Sequence, residues 1–210
     1  MSVPAEIKKL SRKYLPENLA VSEWETIEPY FKELLERPVR SVIELESWLK
    51  DMSELEAMLN EEFCWRQIKM TCDTNNKSLE ESFNYYCMEI QPKVQPYAFE
   101  LNKKLVNSPF INELNQDKFF TYLRTIRKHI DLFREENIPI QAEMAVLQQQ
   151  YGMITGKMAI EVDGKEYTLQ QAAKFFQSHD RSLREEVYRK VNERRLQDKD
   201  VLNNLFTGLI

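Results

Sequence analysis

Two histidines, three cysteines and several short runs of acids are the side chains of this 210-residue chain best suited to chemistry. A zinc site on a helix needs His-Glu-x-x-His. Two histidines one turn apart face the same ion, and the glutamate takes a proton from metal-bound water. His129 is followed by Ile130-Asp131-Leu132-Phe133, and His179 by Asp180-Arg181-Ser182-Leu183. The second has an acid in place, but Leu183 stands where the second ligand must be, and leucine holds no metal. His179 therefore reads as a loop residue ahead of a helix cap at Asp180. His129 reads as a partly exposed residue on the flank of an amphipathic helix.

Cys64, Cys72 and Cys87 are odd in number and show no Cys-x-x-Cys spacing, so they read as free thiols of a reducing compartment, the cytoplasm by default. A cysteine nucleophile wants a histidine and a positive setting. These three sit among Phe63, Trp65, Met70, Phe83 and Tyr86, which favours packing. Asp51, Glu54 and Glu56, like Glu80 and Glu81, read as solvated helix faces. No Gly-rich phosphate loop and no Gly-x-Ser-x-Gly elbow occurs. Gly152 and Gly156 read as the end of a helix and the opening of a hairpin, with close approach to a bound peptide as the functional alternative.

The elements that would carry these residues are helices. Glycine occurs 4 times, and good helix formers abound. Capping boxes are expected at Ser22/Glu25, Ser41/Glu44, Ser78/Glu81 and Thr168/Gln171. Apolar residues recur at three and four from Val42 to Phe63, and again from Leu79 to Leu105. With a reversal at 72–77, residues 42–105 read as a long antiparallel helical hairpin, kinked or broken at Pro92. Asp117 opens a regular amphipathic helix that Asn137-Ile-Pro139 ends, and Glu143–Gln150 form a short further helix. Met158, Ile160 and Val162 alternate up to Asp163-Gly164, which marks a small β-hairpin over about 157–168. Asp180 caps a last helix. The fold class is mainly α, with that one hairpin.

Net charge is −5 with the signs interspersed, which disfavours nucleic-acid binding. In the most basic stretch, Glu185–Arg189 and Glu186–Lys190 fall at pairing distance on a helix surface. No apolar run approaches the ~20 residues of a membrane span. The start, Met1 to Tyr14, has no apolar core long enough for a signal peptide. No nucleic-acid or membrane partner is expected. At the other end, Val201, Leu202, Leu205, Phe206, Leu209 and Ile210 make a strongly apolar, uncapped end that is expected to seek a covering partner.

Residues Tyr151 to Gln197 combine the glycine-punctuated hairpin, a capped helix, a short loop and a charged helix. That order resembles the amino-terminal half of oligoendopeptidase F and its relatives, zinc metallopeptidases of the thimet-oligopeptidase type. The likeness is strongest over Thr168–Leu196. It extends to Leu202-Asn-Asn-Leu-Phe206, Glu89-Ile-Gln-Pro92 and Leu105-Val-Asn-Ser-Pro109. It implies three segments: a helical region over 1–106, an oligopeptidase F-type amino-terminal domain over 107–181, and the start of a catalytic region over 182–210. It further implies a parent hydrolase whose two helical halves enclose a channel for short unstructured peptides. Zinc there would be held by two histidines and a glutamate of the later half, beyond position 210. No residue here matches those positions, so no catalytic, cofactor-binding or metal residue is assigned, and the 210-residue segment alone is expected to bind no zinc and to be inactive. The competing reading is a stand-alone helical interaction or peptide-binding module without catalysis.

Overall fold

The computed structural model describes residues 11–210, so the amino-terminal reading of Met1 to Tyr14 lies mostly outside the described residues. The chain is mainly α-helical and carries one two-stranded antiparallel sheet. It forms two compact units. The first takes the chain as far as Gln67 together with Met88–Ile138; the second takes Ile68–Cys87 and Pro139–Ile210.

In the first unit, α1 (Trp24–Glu36) turns Trp24, Ile27, Phe31 and Leu34 inward at helical spacing. The expected Ser22 cap does not form. The helix begins one residue later than a Ser22 cap requires, and the hydroxyl lies 3.3 Å from Thr26 Oγ1 instead. Helix α2 (Val42–Cys72) runs 31 residues, and Ser41 Oγ accepts from the Glu44 N–H at its start. Its buried row of Leu45, Trp48, Met52 and Leu55 fills this unit's core with Leu101 and Leu105 of α4 (Gln91–Val106). Leu123 and Ile126 add to the core from α5 (Gln116–Leu132), which packs on α4. Trp24, Phe31 and Tyr97 form an aromatic triangle with centroids 5.3–5.7 Å apart.

Glu54 on α2 was expected to be solvated, but it fastens the entering chain. Its carboxylate accepts the backbone N–H groups of Lys13 (2.9 Å), Tyr14 (3.0 Å) and Leu15 (2.8 Å). Partial burial opposes ionisation, but the N–H groups of Leu15, Lys13 and Tyr14, with Arg12 nearby, outweigh it and hold the carboxyl below its ordinary value. A depressed carboxyl stabilises the fold fully above that ordinary value, about 4.5, and the contribution fades as pH falls through the lower folded value. Glu54→Gln is therefore expected to cost about 1 kcal/mol at neutral pH. Urea midpoints of variant and wild type should converge at acid pH; an equal gap at both pH values would refute the assignment.

The hairpin arm returning from α2 begins at α3 (Lys77–Tyr85). Asn76, not Ser78, is its cap: the Asn76 side chain accepts from the Ser78 N–H at 3.2 Å. Asparagine caps at least as well as serine, and it stands immediately before the helix, whereas Ser78 is the helix's second residue. The arm neither breaks nor runs straight. A π-turn over Tyr86–Ile90 leads into α4, with Pro92 in that helix's first turn, where a missing N–H costs little.

The second unit shows the largest departure from expectation. Helix α6 spans Asn137–Gly156, 20 residues, where a stop at Pro139 and a short helix over 143–150 were expected. Proline ends helices from within but suits their first turn, and here it sits in the first turn. The hairpin follows as read. Strand β1 (Ala159–Val162) pairs antiparallel with β2 (Lys165–Thr168), and Asp163 (φ 52°) and Gly164 (φ 72°) make the turn. Two successive positive φ values are what a two-residue hairpin with matching twist demands. Ile160 and Val162 point into a core shared with Ala172, Val187 and Val191.

The Thr168/Gln171 capping box forms and opens α7 (Leu169–Ala172). Asp180 caps α8 (Arg181–Gln197) through the N–H groups of Ser182 and Leu183. Both surface pairs predicted on α8 exist, Arg189–Glu185 at 2.7 Å and Lys190–Glu186 at 2.6 Å. The expected single last helix is two. The path breaks at Asp198, paired with Arg194 at 2.6 Å, and α9 (Lys199–Leu209) follows. Helix α9 leans on α6 so closely that a Cβ at Gly208 would stand 3.1 Å from Leu147 Cδ1. Its Leu205 is buried, whereas Val201, Phe206 and Ile210 are exposed.

Candidate functional site

His129 near the end of α5 and His179 ahead of α8 are both exposed. Among the described residues, no group of three or more His, Cys, Asp or Glu is placed to hold a metal ion. All three cysteines are free. Cys87 is buried, and burial pushes its thiol up to about 11, far from a reactive thiolate. Cys72, the last residue of α2, is exposed rather than packed as expected, although Met70 just before it is buried.

The acids divided differently from the expectation of solvated faces. Asp51 joins a charged cluster with Arg37, whose Nη1 lies 2.5 Å from Asp51 Oδ2. Arg37 also grips Glu33 with two bonds, Nε to Oε1 at 2.8 Å and Nη2 to Oε2 at 2.7 Å. That bidentate contact leads the interactions holding the Glu33 carboxyl below its usual range. Burial, with the Glu33 carboxylate beside it, pushes the Tyr14 phenol well above its usual value. Tyr14 OH stands 2.9 Å from both Glu33 Oε2 and the Tyr30 carbonyl. The cluster is satisfied within itself and fixes the end of α1; it leaves no group poised for proton transfer.

Next to it lies a recess of about 390 Å³ between Pro38, Val39, Trp48, Lys104 and Pro109. Lys104 lines it, and its Nζ donates to the carbonyls of Leu34 (2.7 Å), Leu35 (2.8 Å) and Arg37 (2.6 Å). These are end-of-helix carbonyls without partners inside α1, and a cation there also meets the negative end of the helix dipole. Trp48 Nε1 donates to the Leu34 carbonyl at 2.8 Å, and Lys104 Nζ stands 5.5 Å from the Trp48 ring centroid. Lysine 104 is thus consumed by the fold.

The second unit holds a larger recess, about 670 Å³, where its elements converge. Tyr151 and Thr155 of α6, Leu169 and Gln170 of α7, Arg195 of α8 and Leu202 of α9 line it, above Met158 and Ala173. Its volume lies in the range of small-ligand sites. Gly152 and Gly156 belong to α6 beside it, with open space where a Cβ would be, so neither is required for a close approach. Met158 and Leu202 stood out in the sequence only as apolar packing residues, and nothing there marked Gln170 or Arg195, because a recess assembled from four helices leaves no local pattern.

The comparisons with known proteins agree with this architecture. The profile of the Peptidase M3 N-terminal domain family matches residues 17–133. No curated protein matches the chain. Among solved structures, one assigned as an oligoendopeptidase F, from crystals grown by microfluidic seeding, superposes with a TM-score of 0.83 at 20% identity, covering 95% of this chain and 35% of that one. An oligoendopeptidase F assignment from Bacillus anthracis str. Ames gives 0.84 at 19%, covering 95% and 37%. PZ peptidase A with inhibitor 2 gives 0.81 at 18%, covering 89% and 33%. Identities this low speak for the fold, and the chain spans about a third of the length of those structures. With more than half of its residues inside the family profile, the chain belongs to the Peptidase M3 N-terminal domain family.

Proposed function

We propose that this chain is the amino-terminal, channel-wall half of a cytoplasmic zinc metalloendopeptidase that hydrolyses short unstructured peptides. The family match over 17–133 carries this reading. The likeness to structures about three times as long supports it. In this reading 1–106 and 107–181 form the helical wall, and 182–210 open the catalytic region. Zinc and its ligands come from polypeptide beyond position 210. The contribution of these helices is exclusion: a cavity walled by rigid rods admits an extended peptide and rejects a folded protein. The free thiols Cys64, Cys72 and Cys87 fit a reducing compartment.

The test uses a quenched-fluorescence peptide of about ten residues and a small folded protein, cleavage sites identical in both. The 210-residue chain alone should cleave neither. The longer polypeptide carrying it should cleave the peptide only, and should lose that activity to a zinc chelator. Peptide hydrolysis by the 210-residue chain in the presence of chelator would overturn the reading, as would a longer polypeptide that cleaves nothing.

A further inference from the structure

The core-facing row of α8 runs Leu183, Val187, Val191 at intervals of four, and its next member is Arg195. A guanidinium stands where the pattern calls for a fourth apolar side chain. At this level the row leaves the core and meets the 670 Å³ recess. The neighbouring cations of α8 are engaged: Arg189 with Glu185, Lys190 with Glu186 and the Glu161 carbonyl, Arg194 with Asp198. Among the described residues, Arg195 has no ion-pair or hydrogen-bond partner, although acids are plentiful in this chain of net charge −5. The Gln170 side chain, also lining the recess, is equally uncommitted. Below them the surface is apolar, formed by Met158, Leu169 and Leu202, with the exposed Tyr151 ring at one side.

We infer that this recess binds a peptide end: Arg195 takes the terminal carboxylate, Gln170 donates to it, and the last side chain rests on the apolar floor beside Tyr151. A single free cation over an apolar surface of this size matches an anionic group carried on an apolar body, and planar guanidinium favours carboxylate. The inference rests on the reading of this chain as part of a peptidase, and it adds recognition of the substrate's carboxyl end by the amino-terminal half.

The probes are acetyl-Leu-Phe with a free carboxylate, its carboxyl-terminal amide, and inorganic phosphate, each titrated into the isotope-labelled 210-residue chain and followed by amide NMR shifts. The free acid should shift resonances around Tyr151, Thr155, Gln170 and Arg195. The amide should bind about tenfold more weakly, the loss of one charge-assisted contact. Phosphate, with no apolar body, should bind more weakly than the acid. In Arg195→Met, an exposed substitution that leaves the core untouched, acid and amide should bind alike. Equal binding of acid and amide to the wild type, phosphate binding as tightly as the acid, shifts elsewhere, or no shifts at about 10 mM would each overturn the inference. These readouts need no hydrolysis, so they stand apart from the peptidase test. If the longer polypeptide cleaves free-acid peptides with a KM unchanged by Arg195→Met, this inference fails while the proposed function survives.

Discussion

Trp48→Ala is expected to lower the unfolding free energy by about 3–5 kcal/mol, the range for emptying a large aromatic site in a packed core. Trp48 is only 1% exposed, and three separate interactions end on it. Its ring fills the space between α1, α2 and α4, its N–H holds the Leu34 carbonyl, and its face receives Lys104. Trp48→Phe keeps most of the packing and loses the N–H, so it should cost about 1 kcal/mol beyond the smaller ring. Urea denaturation followed by far-ultraviolet circular dichroism separates the two: the midpoint should fall in that order with the slope unchanged. An alanine variant within about 1 kcal/mol of wild type would mean that the site collapses freely and that Trp48 is no keystone.

Lys104→Met should cost about 2–3 kcal/mol, although methionine matches the lysine stem in length. The loss is electrostatic. Leu35 and Arg37 would keep carbonyl oxygens with no donor, and only Leu34 retains one, from Trp48. Lys104→Arg should recover little, because a rigid fork cannot converge on three carbonyls as an ammonium does. The double variant Lys104→Met with Trp48→Phe should depart from additivity by more than 0.5 kcal/mol, since both donors serve one oxygen. Simple additivity would show that the two contacts stabilise the chain independently.

How much of this was legible in the sequence depended on whether the signal was local. Strand alternation at Ile160 and Val162, the Asp163-Gly164 turn, the Thr168/Gln171 box and the Asp180 cap are each specified within a few residues, and all formed. Serine followed three residues later by glutamate was less secure. Ser22 and Ser78 match that pattern, yet one bonds the Thr26 hydroxyl instead of a backbone N–H and the other yields to Asn76. Pro139 misled because its position relative to the helix start, invisible in a linear reading, decides whether it initiates or terminates. The roles of Asp51, Glu54 and Lys104 were out of reach for another reason. Their partners are 14, about 40 and about 70 residues away, and partners so remote leave no periodicity. Arg195 left a trace, a charge on an apolar row, but its meaning required the recess opposite.

Both units are assembled from two separate stretches, each unit interrupted by part of the other. Neither can be excised as a continuous gene fragment. During synthesis, Ile68–Cys87 emerges from the ribosome with Met70, Phe83 and Tyr86 on surfaces destined to be buried, while Pro139 and everything after it is still unmade. At bacterial or eukaryotic elongation rates that wait is on the order of several seconds. Over that interval the tip of the long hairpin keeps apolar side chains in water, a half-built surface of the kind that aggregates or meets a chaperone.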